Sequence, residues 1–310
     1  MERPSKQELD KYFANWKDDS DFAAYARLLQ SKWREKKGYP IGKSQNGTTY
    51  GNYVEEEYAK NNGCNFLTQK IWEIAKTEMA NAKAENALYS PYRFICNLLT
   101  SQTLCFNLFG EFHEKEDVLL KVFNEIKPGL MDKITNIKYE YSPGRGKEIY
   151  LGDNTAFDVF IEYEKNNEKC FLAIETKYVE NLQEETSAQA EKNFDRHPQY
   201  KEITESCGLF NDGIVNEIKK PPFSQIWRDH LLSISLKTGE GKLYNKGYFV
   251  FLYPENNSNC SSAIKEYMNF LKNPETHIFE LHLEELIKTI QKNVNEEWAK
   301  ELFERYVNGL

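Results

Sequence analysis

The stretch from Phe157 to Tyr178, FDVFIEYEKNNEKCFLAIETKY, decides the fold of this chain. Two apolar runs surround a short polar turn. Each run carries an acid where a buried strand usually has an apolar residue, Asp158 in FDVFI and Glu175 in FLAIETK. Because Asn tolerates positive φ angles, Asn166–Asn167 is expected to form the two-residue turn of a β-hairpin. The stretch therefore predicts two antiparallel strands with one acid in each.

The position of the turn fixes which residues of the two strands face each other. A two-residue turn at this place puts Asp158 directly opposite Glu175, and opposed residues share a sheet face with Cβ atoms about 5 Å apart. Alternation along the strand adds Lys177 to the same face and turns Thr176 to the other. A shift of one residue in the turn would break this opposition, so the prediction depends on the assumed register.

The two opposed carboxylates indicate a chemistry. In an apolar region they repel each other unless a cation lies between them, and Mg²⁺ prefers hard oxygen ligands of this kind. The ammonium of Lys177 would face the same pocket, where it could offset charge that develops on a phosphate. The spacing therefore predicts metal-dependent attack of water on a phosphodiester. The alternative is a charged sheet face with a cross-strand ion pair; the apolar neighbours of both acids favour the first interpretation.

Composition and charge narrow the class of protein. The formal net charge of the 310-residue chain is −8, which argues against coating nucleic acid through the overall field but leaves room for local basic clefts. The N-terminus MERPSKQELDKYF lacks the apolar region of a secretory signal, and no apolar run reaches the roughly 20 residues of a membrane span. Six scattered cysteines without a CxxC pair predict reduced thiols. We expect a soluble cytoplasmic protein without membrane contact.

Hydrophobic periodicity predicts helices on both sides of a central group of strands. Residues 38–52, rich in Gly, Asn and Thr, are expected to form a loop. The predicted strands are about 148–152, 156–164, 169–177, 247–253 and 278–283. The predicted helices lie within residues 1–36 and at about 53–86 (with a break near Asn61–Gly63), 91–112, 187–207, 222–237 and 260–272, followed by a final helix to about 307. Of these, 91–112 is apolar nearly all round and is expected to be buried.

The hairpin resembles the core of the PD-(D/E)XK phosphodiesterase superfamily, which includes most type II restriction endonucleases and many repair and recombination nucleases. The motif here is Asp158 followed by Glu175-Thr176-Lys177, with Phe157 where the literal motif has Pro. The wider text, YSPGRGKEIYLGDNTAFDVFIEY with FLAIETKYVE and later FSQIWRDHLLS, resembles a bacterial branch of type II restriction endonucleases over about residues 90–255.

This resemblance implies an α/β fold whose restriction-endonuclease-like core is a mixed central sheet flanked by helices. It implies two parts, a helical N-terminal extension (1–89) and the nuclease-like core with a C-terminal helix (90–310). Asp158 and Glu175 would be metal ligands, the carbonyl of Thr176 a third ligand, and Lys177 the catalytic lysine. The ion would be Mg²⁺, with Mn²⁺ able to substitute.

Further site residues are implied by the same resemblance. The family often adds an acid from the helix before the sheet; Glu111 and Glu140 are the candidates, and either could equally be an exposed acid. Family members often carry a Gln or Arg on the helix after the Glu-X-Lys strand, which here would be Gln225 for water or backbone and Arg228 for a phosphate oxygen. The alternative for that helix is a surface location with a pair between Arg228 and Asp229.

Two basic segments are candidates for contact with a nucleic-acid backbone. The loop SPGRGKE brings Arg145 and Lys147 immediately before the sheet, although a polar turn explains it equally. The segment AEKNFDRHPQYKEI offers Lys192, Arg196 and Lys201, but acids interleave with them and weaken the signal.

The function that follows is a Mg²⁺-dependent endodeoxyribonuclease of a restriction or other defence system, for which the family pattern implies 5′-phosphate and 3′-hydroxyl products. Cleavage of both strands of a duplex favours a homodimer, and a cognate methyltransferase is a further candidate partner. Two alternatives stay open. One is a nucleic-acid-binding module of the same fold without cleavage, and the other is an RNA-directed or exonucleolytic enzyme.

Overall fold

The computed structural model describes residues 2–84, 90–183 and 185–308. Contacts within the chain define two compact units. The first comprises Met1–Ile126, Pro254–Asn257 and Leu283–Leu310, and the second comprises Lys127–Tyr253 and Ser258–His282. The predicted boundary between an extension and a core, at residues 89 and 90, falls at the edge of a stretch outside the described residues; that division into two domains stays a prediction.

The described residues form seven strands and fourteen α-helices. The strands are β1 (Ile41–Lys43), β2 (Thr49–Val54), β3 (Lys133–Tyr141), β4 (Phe157–Lys165), β5 (Glu168–Thr176), β6 (Lys246–Tyr253) and β7 (Ile278–His282). The helices are α1 (Lys6–Lys11), α2 (Asp21–Lys36), α3 (Glu56–Asn62), α4 (Gln69–Ala84), α5 (Pro91–Cys96), α6 (Ser101–Phe109), α7 (Glu116–Ile126), α8 (Ser187–Arg196), α9 (Gln199–Ser206), α10 (Val215–Ile218), α11 (Phe223–Ser235), α12 (Ser258–Met268), α13 (Leu283–Asn293) and α14 (Glu297–Tyr306).

The first unit is mainly helical, as predicted for the first 36 residues, where α1 and α2 lie. The prediction of a loop at 38–52 is wrong, because β1 and β2 pair there as an antiparallel hairpin. The turn-forming residues Asn46 and Gly47 occupy its tip, with Gly47 at φ 85°, and residues suited to strands follow them. The helix predicted at 53–86 is interrupted as expected: Gly63 ends α3 in the left-handed conformation at φ 60°. Its predicted end at residue 86 lies outside the described residues.

The apolar segment 91–112 is buried, as predicted, but it is not one helix. Asn97 separates α5 from α6: its Oδ1 accepts a hydrogen bond from the backbone N–H of Leu99 at 3.1 Å and another from Nδ2 of Asn52 at 2.7 Å. An asparagine side chain that bonds nearby backbone competes with the helical hydrogen-bond pattern, which explains the break. The single final helix is likewise wrong, since α13 and α14 are separate helices.

A buried arginine joins α14 to the rest of the first unit. Arg305 is fully buried, and its guanidinium donates to the carbonyl and the Oδ1 of Asn65 at 2.7 and 2.6 Å and to Oε1 of Gln30 at 3.0 Å. It also lies 4.4 Å from the ring centroid of Trp33. Neutral oxygen acceptors therefore satisfy this charge.

The second unit contains a five-stranded mixed sheet in the order β3-β4-β5-β6-β7. The pairs β3–β4 and β4–β5 are antiparallel, whereas β5–β6 and β6–β7 are parallel. Asn166 and Asn167 form the turn between β4 and β5 at φ 51° and 61°. The register runs from the Lys165–Glu168 pair at the turn through matched positions into the far end of the hairpin. Both the predicted turn and the predicted register are confirmed.

Before the hairpin, one predicted strand does not form and one strand was not predicted. Residues 148–152 form turns rather than a strand; Leu151 is buried there as part of the core, so its apolar character reflects burial alone. The strand β3 was not predicted. A bulge between Ile134 and Asn136 shifts its register, so that its apolar residues do not alternate regularly along the sequence.

Helices connect the parallel strands: α8 to α11 lie between β5 and β6, and α12 lies between β6 and β7. The predicted helix 187–207 is divided at His197 and Pro198 into α8 and α9. Residues of α11 and α12 pack on one face of the sheet, where Trp227 and Tyr267 join the core around Phe171. In the described part of the chain, no helix has the length and apolar character needed to cross a membrane.

Candidate active site

The end of β5 carries the polar side chains of the site. The face of β5 with Phe171 and Ala173 belongs to the core beneath α11. Period-two alternation continues that face to Glu175 and Lys177, the last residues before the chain leaves the sheet. The register of the hairpin places Asp158 of β4 opposite Glu175. The fold thus brings the three predicted residues together under α11.

In each of the two carboxylates, one oxygen accepts the hydrogen bonds that hold the side chain in place. Oε1 of Glu175 accepts hydrogen bonds from Nζ of Lys177 at 2.7 Å and from Nε2 of Gln225 at 2.8 Å. Oδ2 of Asp158 accepts from the backbone N–H of Thr176 at 2.7 Å. Within the described residues no hydrogen bond reaches Oε2 of Glu175 or Oδ1 of Asp158. One oxygen of each carboxylate is therefore fixed by the fold, and the other accepts no hydrogen bond from the described residues.

Burial raises the free-energy cost of keeping these charged groups close together. Glu175 and Lys177 are 4% and 7% exposed, and Asp158 is partly exposed. Burial raises the pKa of Asp158, and the charges of Glu175 and Glu140 raise it further. Burial alone would lower the pKa of Lys177, but Glu175, Glu180 and Asp158 outweigh it and raise that pKa, so the ammonium stays protonated. Glu175 and Lys177 are buried and so do not form a solvated charged face, and their ion pair runs along one strand rather than across the hairpin.

The donor set fits Mg²⁺. Among the described residues, no group of three His, Cys, Asp or Glu side chains is arranged to hold a metal ion. Mg²⁺ commonly binds through one or two carboxylates and keeps several waters, so it does not need such a cluster. The uncommitted oxygens of Asp158 and Glu175 are hard ligands of the right number, and the carbonyl of Thr176 stays the predicted third ligand.

The two candidates for an additional acid belong to different compact units. Pairing of β3 with β4 on either side of Glu140 places this residue opposite Asp158, and its charge helps to raise the pKa of Asp158. Glu140 has φ 46°, an unusual angle for a non-glycine residue, at the end of the strand beside the site. Glu111 belongs to the first unit, where it accepts from Oγ1 of Thr68 at 2.5 Å and lies 3.8 Å from Nζ of Lys115.

The residues of α11 are arranged differently from either interpretation of the sequence. Gln225 holds Glu175 directly, whereas Nη1 of Arg228 donates to Oε2 of Glu185 at 2.8 Å. The alternative of a surface helix with a pair between Arg228 and Asp229 is wrong, since most of α11 is buried and Arg228 pairs with Glu185 instead.

Asp229 is a site residue that sequence reasoning missed. It is 4% exposed, and its Oδ2 has no hydrogen-bond partner in the described ranges. Burial raises its pKa, and the charge of Glu175 adds to this, so Asp229 faces the same electrostatic environment as the carboxylate pair. The signal that could have found it is its position four residues after Gln225, on the same side of an apolar helix.

Arg145 donates hydrogen bonds that hold its own loop together. Nη1 donates to the carbonyl of Asn154 at 3.0 Å, and Nη2 donates to the carbonyl of Glu140 at 3.2 Å. These contacts are those of an ordered polar turn, the alternative to phosphate contact, and they fix the end of β3 next to the site. A role of Arg145 toward phosphate stays a prediction.

Comparison with known proteins agrees with this geometry. A profile described as the PD-(D/E)XK nuclease superfamily matches residues 17–308, a range that extends beyond the predicted 90–255 on both sides. No curated protein and no solved structure matches the chain. The profile match spans nearly the whole sequence, including both strands of the hairpin and α11, and confirms the predicted family and fold class. This chain belongs to the PD-(D/E)XK nuclease superfamily.

Proposed function

We propose that this protein is a Mg²⁺-dependent endonuclease that hydrolyses phosphodiester bonds of DNA. Membership of a nuclease superfamily supports the reaction class. The observation that carries the proposal is the group of partly exposed Asp158 with buried Glu175 and Lys177, in which each carboxylate keeps one oxygen without a hydrogen bond among the described residues. Such a group is poorly suited to structural stabilisation, because it concentrates charge in the interior.

The roles of the residues follow from their contacts. Asp158 and Glu175 would hold Mg²⁺, or Mn²⁺ in its place, together with the carbonyl of Thr176. When bound, the ion supplies Lewis-acid stabilisation of negative charge on the phosphate. The ammonium of Lys177, fixed by its 2.7 Å contact with Glu175, adds positive charge where negative charge develops as water attacks phosphorus. Gln225 holds the Glu175 side chain in one orientation, which keeps Lys177 in place as well.

The proposal extends to products and setting. Hydrolysis would leave 5′-phosphate and 3′-hydroxyl ends, as the family pattern implies. A restriction or other defence role in the cytoplasm would place a cognate methyltransferase beside the enzyme. Cleavage of both strands of a duplex would use two copies of the site, which a two-fold symmetric homodimer supplies.

Plasmid cleavage tests the proposal. Purified protein is incubated with supercoiled plasmid in Mg²⁺, Mn²⁺ or EDTA, beside Asp158→Ala and Lys177→Ala, with exposed Lys265→Ala as the matched control. We expect metal-dependent cutting by the unmodified protein and by the control. Both site variants should lose at least about 10³-fold in rate, since each removes a charge that acts in the transition state.

The other outcomes separate the alternatives. Cutting that survives both site substitutions would overturn the proposed site. DNA binding without cutting in any metal would favour the binding module. Cutting of RNA but not DNA would indicate the RNA-directed enzyme, and cutting of linear but not circular DNA the exonuclease.

A further inference from the structure

A cleft of about 470 Å³ lies along one face of α8. Its lining residues are Glu185, Gln189, Lys192, Asn193 and Arg196. The four that belong to α8 recur at spacings of three and four residues, so they form a single stripe along the helix. Both cations of this stripe, Lys192 and Arg196, are exposed, and neither has an ion-pair partner within the described residues.

Neither acid of α8 lines this cleft. Glu191 lies on the opposite side of the helix from the stripe, whereas Asp195, three residues after Lys192, lies beside the stripe; neither lines the cleft. Oε1 of Glu191 pairs with Nζ of Lys219 at 2.7 Å. The packing side of α8 carries Phe194, whose ring stacks on Trp227. The cleft is thus lined by the cations of α8 and by neither of its acids, although the two kinds of charge interleave in the sequence.

The carboxylate of the cleft is fully engaged. Glu185 accepts hydrogen bonds from Oγ of Ser224 at 2.5 Å, from Nη1 of Arg228 at 2.8 Å and from Nδ2 of Asn193 at 2.8 Å. Arg228 balances its charge, so the exposed lining of the cleft keeps an excess of two positive charges from Lys192 and Arg196.

The helix α11 connects this cleft to the carboxylate pair. Gln225 of α11 donates to Glu175 of the site, and Arg228, three residues later, donates to Glu185 of the cleft. Three residues advance about 4.5 Å along a helix, which is comparable to the rise of about 3.4 Å per phosphate along one DNA strand. The cleft therefore begins within a few phosphates of the proposed scissile position.

We propose that this cleft binds the sugar–phosphate backbone of duplex DNA beside the scissile phosphate, with Lys192 and Arg196 each contacting a phosphate. Oε1 of Gln189 is occupied at the start of α8, where it accepts from the backbone N–H and the hydroxyl of Thr186. Its Nε2 can therefore donate to a further backbone oxygen. The choice of DNA rests on the proposed function. The cleft also explains how a chain of net charge −8 can hold a polyanion, because the contact is local.

Salt-dependent binding tests this surface. Binding of a short fluorescent DNA duplex is measured by anisotropy at salt concentrations from about 50 to 200 mM, in EDTA and again with Ca²⁺. The test variant is K192E/R196E. The matched control is K265E/K288E, which reverses two exposed lysines on α12 and α13 and changes the net charge by the same amount.

The expected result is a loss of affinity of at least about 30-fold for K192E/R196E at low salt, and a fall of about two in the magnitude of the slope of log K against log salt, one for each phosphate contact. The neutral variant K192Q/R196Q should show the same change in slope with a smaller loss. The control should keep the slope of the unmodified protein.

Three results would contradict the proposal that this cleft binds DNA. The slope of log K against log salt could be unchanged in K192E/R196E, it could change equally in the control, or the unmodified protein could fail to bind the duplex. Plasmid cleavage measured on the same preparations separates the two proposals. If the protein binds DNA through Lys192 and Arg196 but does not cut it, the cleft proposal is supported and the endonuclease proposal is contradicted. If the protein cuts DNA but the salt dependence of its binding does not change when Lys192 and Arg196 are replaced, the endonuclease is supported and the cleft proposal is contradicted.

Discussion

Gln225 on α11 donates from Nε2 to Oε1 of Glu175 at the end of β5, across 2.8 Å. The same oxygen accepts from Lys177 at 2.7 Å, so a single contact between helix and strand orients both the carboxylate and the ammonium. Both donors reach Oε1, and among the described residues no hydrogen bond reaches Oε2 of Glu175. The precision of the site therefore depends on the packing of α11 against the sheet.

Removing this contact should impair the proposed cleavage with little effect on folding. Gln225→Ala frees Glu175 to rotate and lets Lys177 follow it, and loss of such a supporting hydrogen bond typically reduces activity by about 10- to 100-fold. Gln225→Glu should be worse than Gln225→Ala, because it places a third carboxylate against Glu175. Initial rates of plasmid cleavage and thermal unfolding of both variants give the comparison. Equal cleavage rates in the two variants would show that a negative charge added beside Glu175 does not affect the reaction.

Relieving the repulsion at the site should stabilise the protein while it abolishes cleavage. In Asp158→Asn the amide oxygen can still accept from the N–H of Thr176, whereas the charge that opposes Glu175 is gone. Burial and Glu175 both raise the pKa of Asp158, so we expect the melting temperature in EDTA to rise by about 2–4 °C. Added Mg²⁺ should raise the melting temperature of the unmodified protein and leave that of Asp158→Asn unchanged. A lower melting temperature in EDTA would show that the carboxylate pair does not destabilise the fold.

The two candidate acids should differ in effect. Glu140 lies opposite Asp158 and acts on its pKa, whereas Glu111 is bound to Thr68 and lies near Lys115 in the first unit. Glu140→Gln should lower the cleavage rate about tenfold, as loss of a group beside metal ligands commonly does, and should raise the Mg²⁺ concentration needed for half-maximal rate. Glu111→Gln should stay within about twofold of the unmodified rate. The reverse order would assign the additional acid to Glu111.

Two buried histidines should make stability depend on pH. Nδ1 of His230 contacts the hydroxyl of Tyr267 at 3.0 Å, and its Nε2 contacts Nδ1 of His277 at 3.0 Å. Burial lowers the pKa of His230, helped by the charges of His277 and Lys237, and burial also lowers that of His277. The unfolded chain then binds more protons than the folded one below about pH 6.5.

The stability from these histidines is therefore fully present above about pH 6.5 and is lost as the pH falls toward their folded-state pKa values. The expected slope is up to about 1.4 kcal/mol per pH unit for each histidine. Denaturant unfolding between pH 8 and pH 5 measures it. His230→Asn, which does not titrate in this range, should lower overall stability but show a shallower dependence on pH. A free energy of unfolding that is flat down to pH 5 would contradict the prediction.

Local sequence was sufficient for the hairpin and its charged end. The turn at Asn166–Asn167 depends on conformations that these residues accept readily, and the opposition of Asp158 and Glu175 follows from counting back from that turn. Alternation then fixed the side of the sheet on which Lys177 lies. These relationships span few residues, so periodicity alone predicts them.

Other local sequence patterns gave wrong predictions of secondary structure, and the packing of the chain shows why. Leu151 is apolar because it belongs to the core, although its backbone forms a turn. The bulge near Ile134 disturbs the alternation of β3, and Asn97 divides an apolar helix through contacts with a distant asparagine. In each case tertiary contacts changed what the local pattern predicts.

The sequence by itself determined the superfamily resemblance and the identity of the charged group, because the motif lies within one hairpin. Only the tertiary structure decided that Gln225, 50 residues beyond Glu175, holds that carboxylate, that Glu140 lies opposite Asp158, and that the cations of α8 line a cleft that its acids do not. These relationships depend on how α8 and α11 pack on the sheet. That packing is set by shape and burial across the whole core, which no local periodicity encodes.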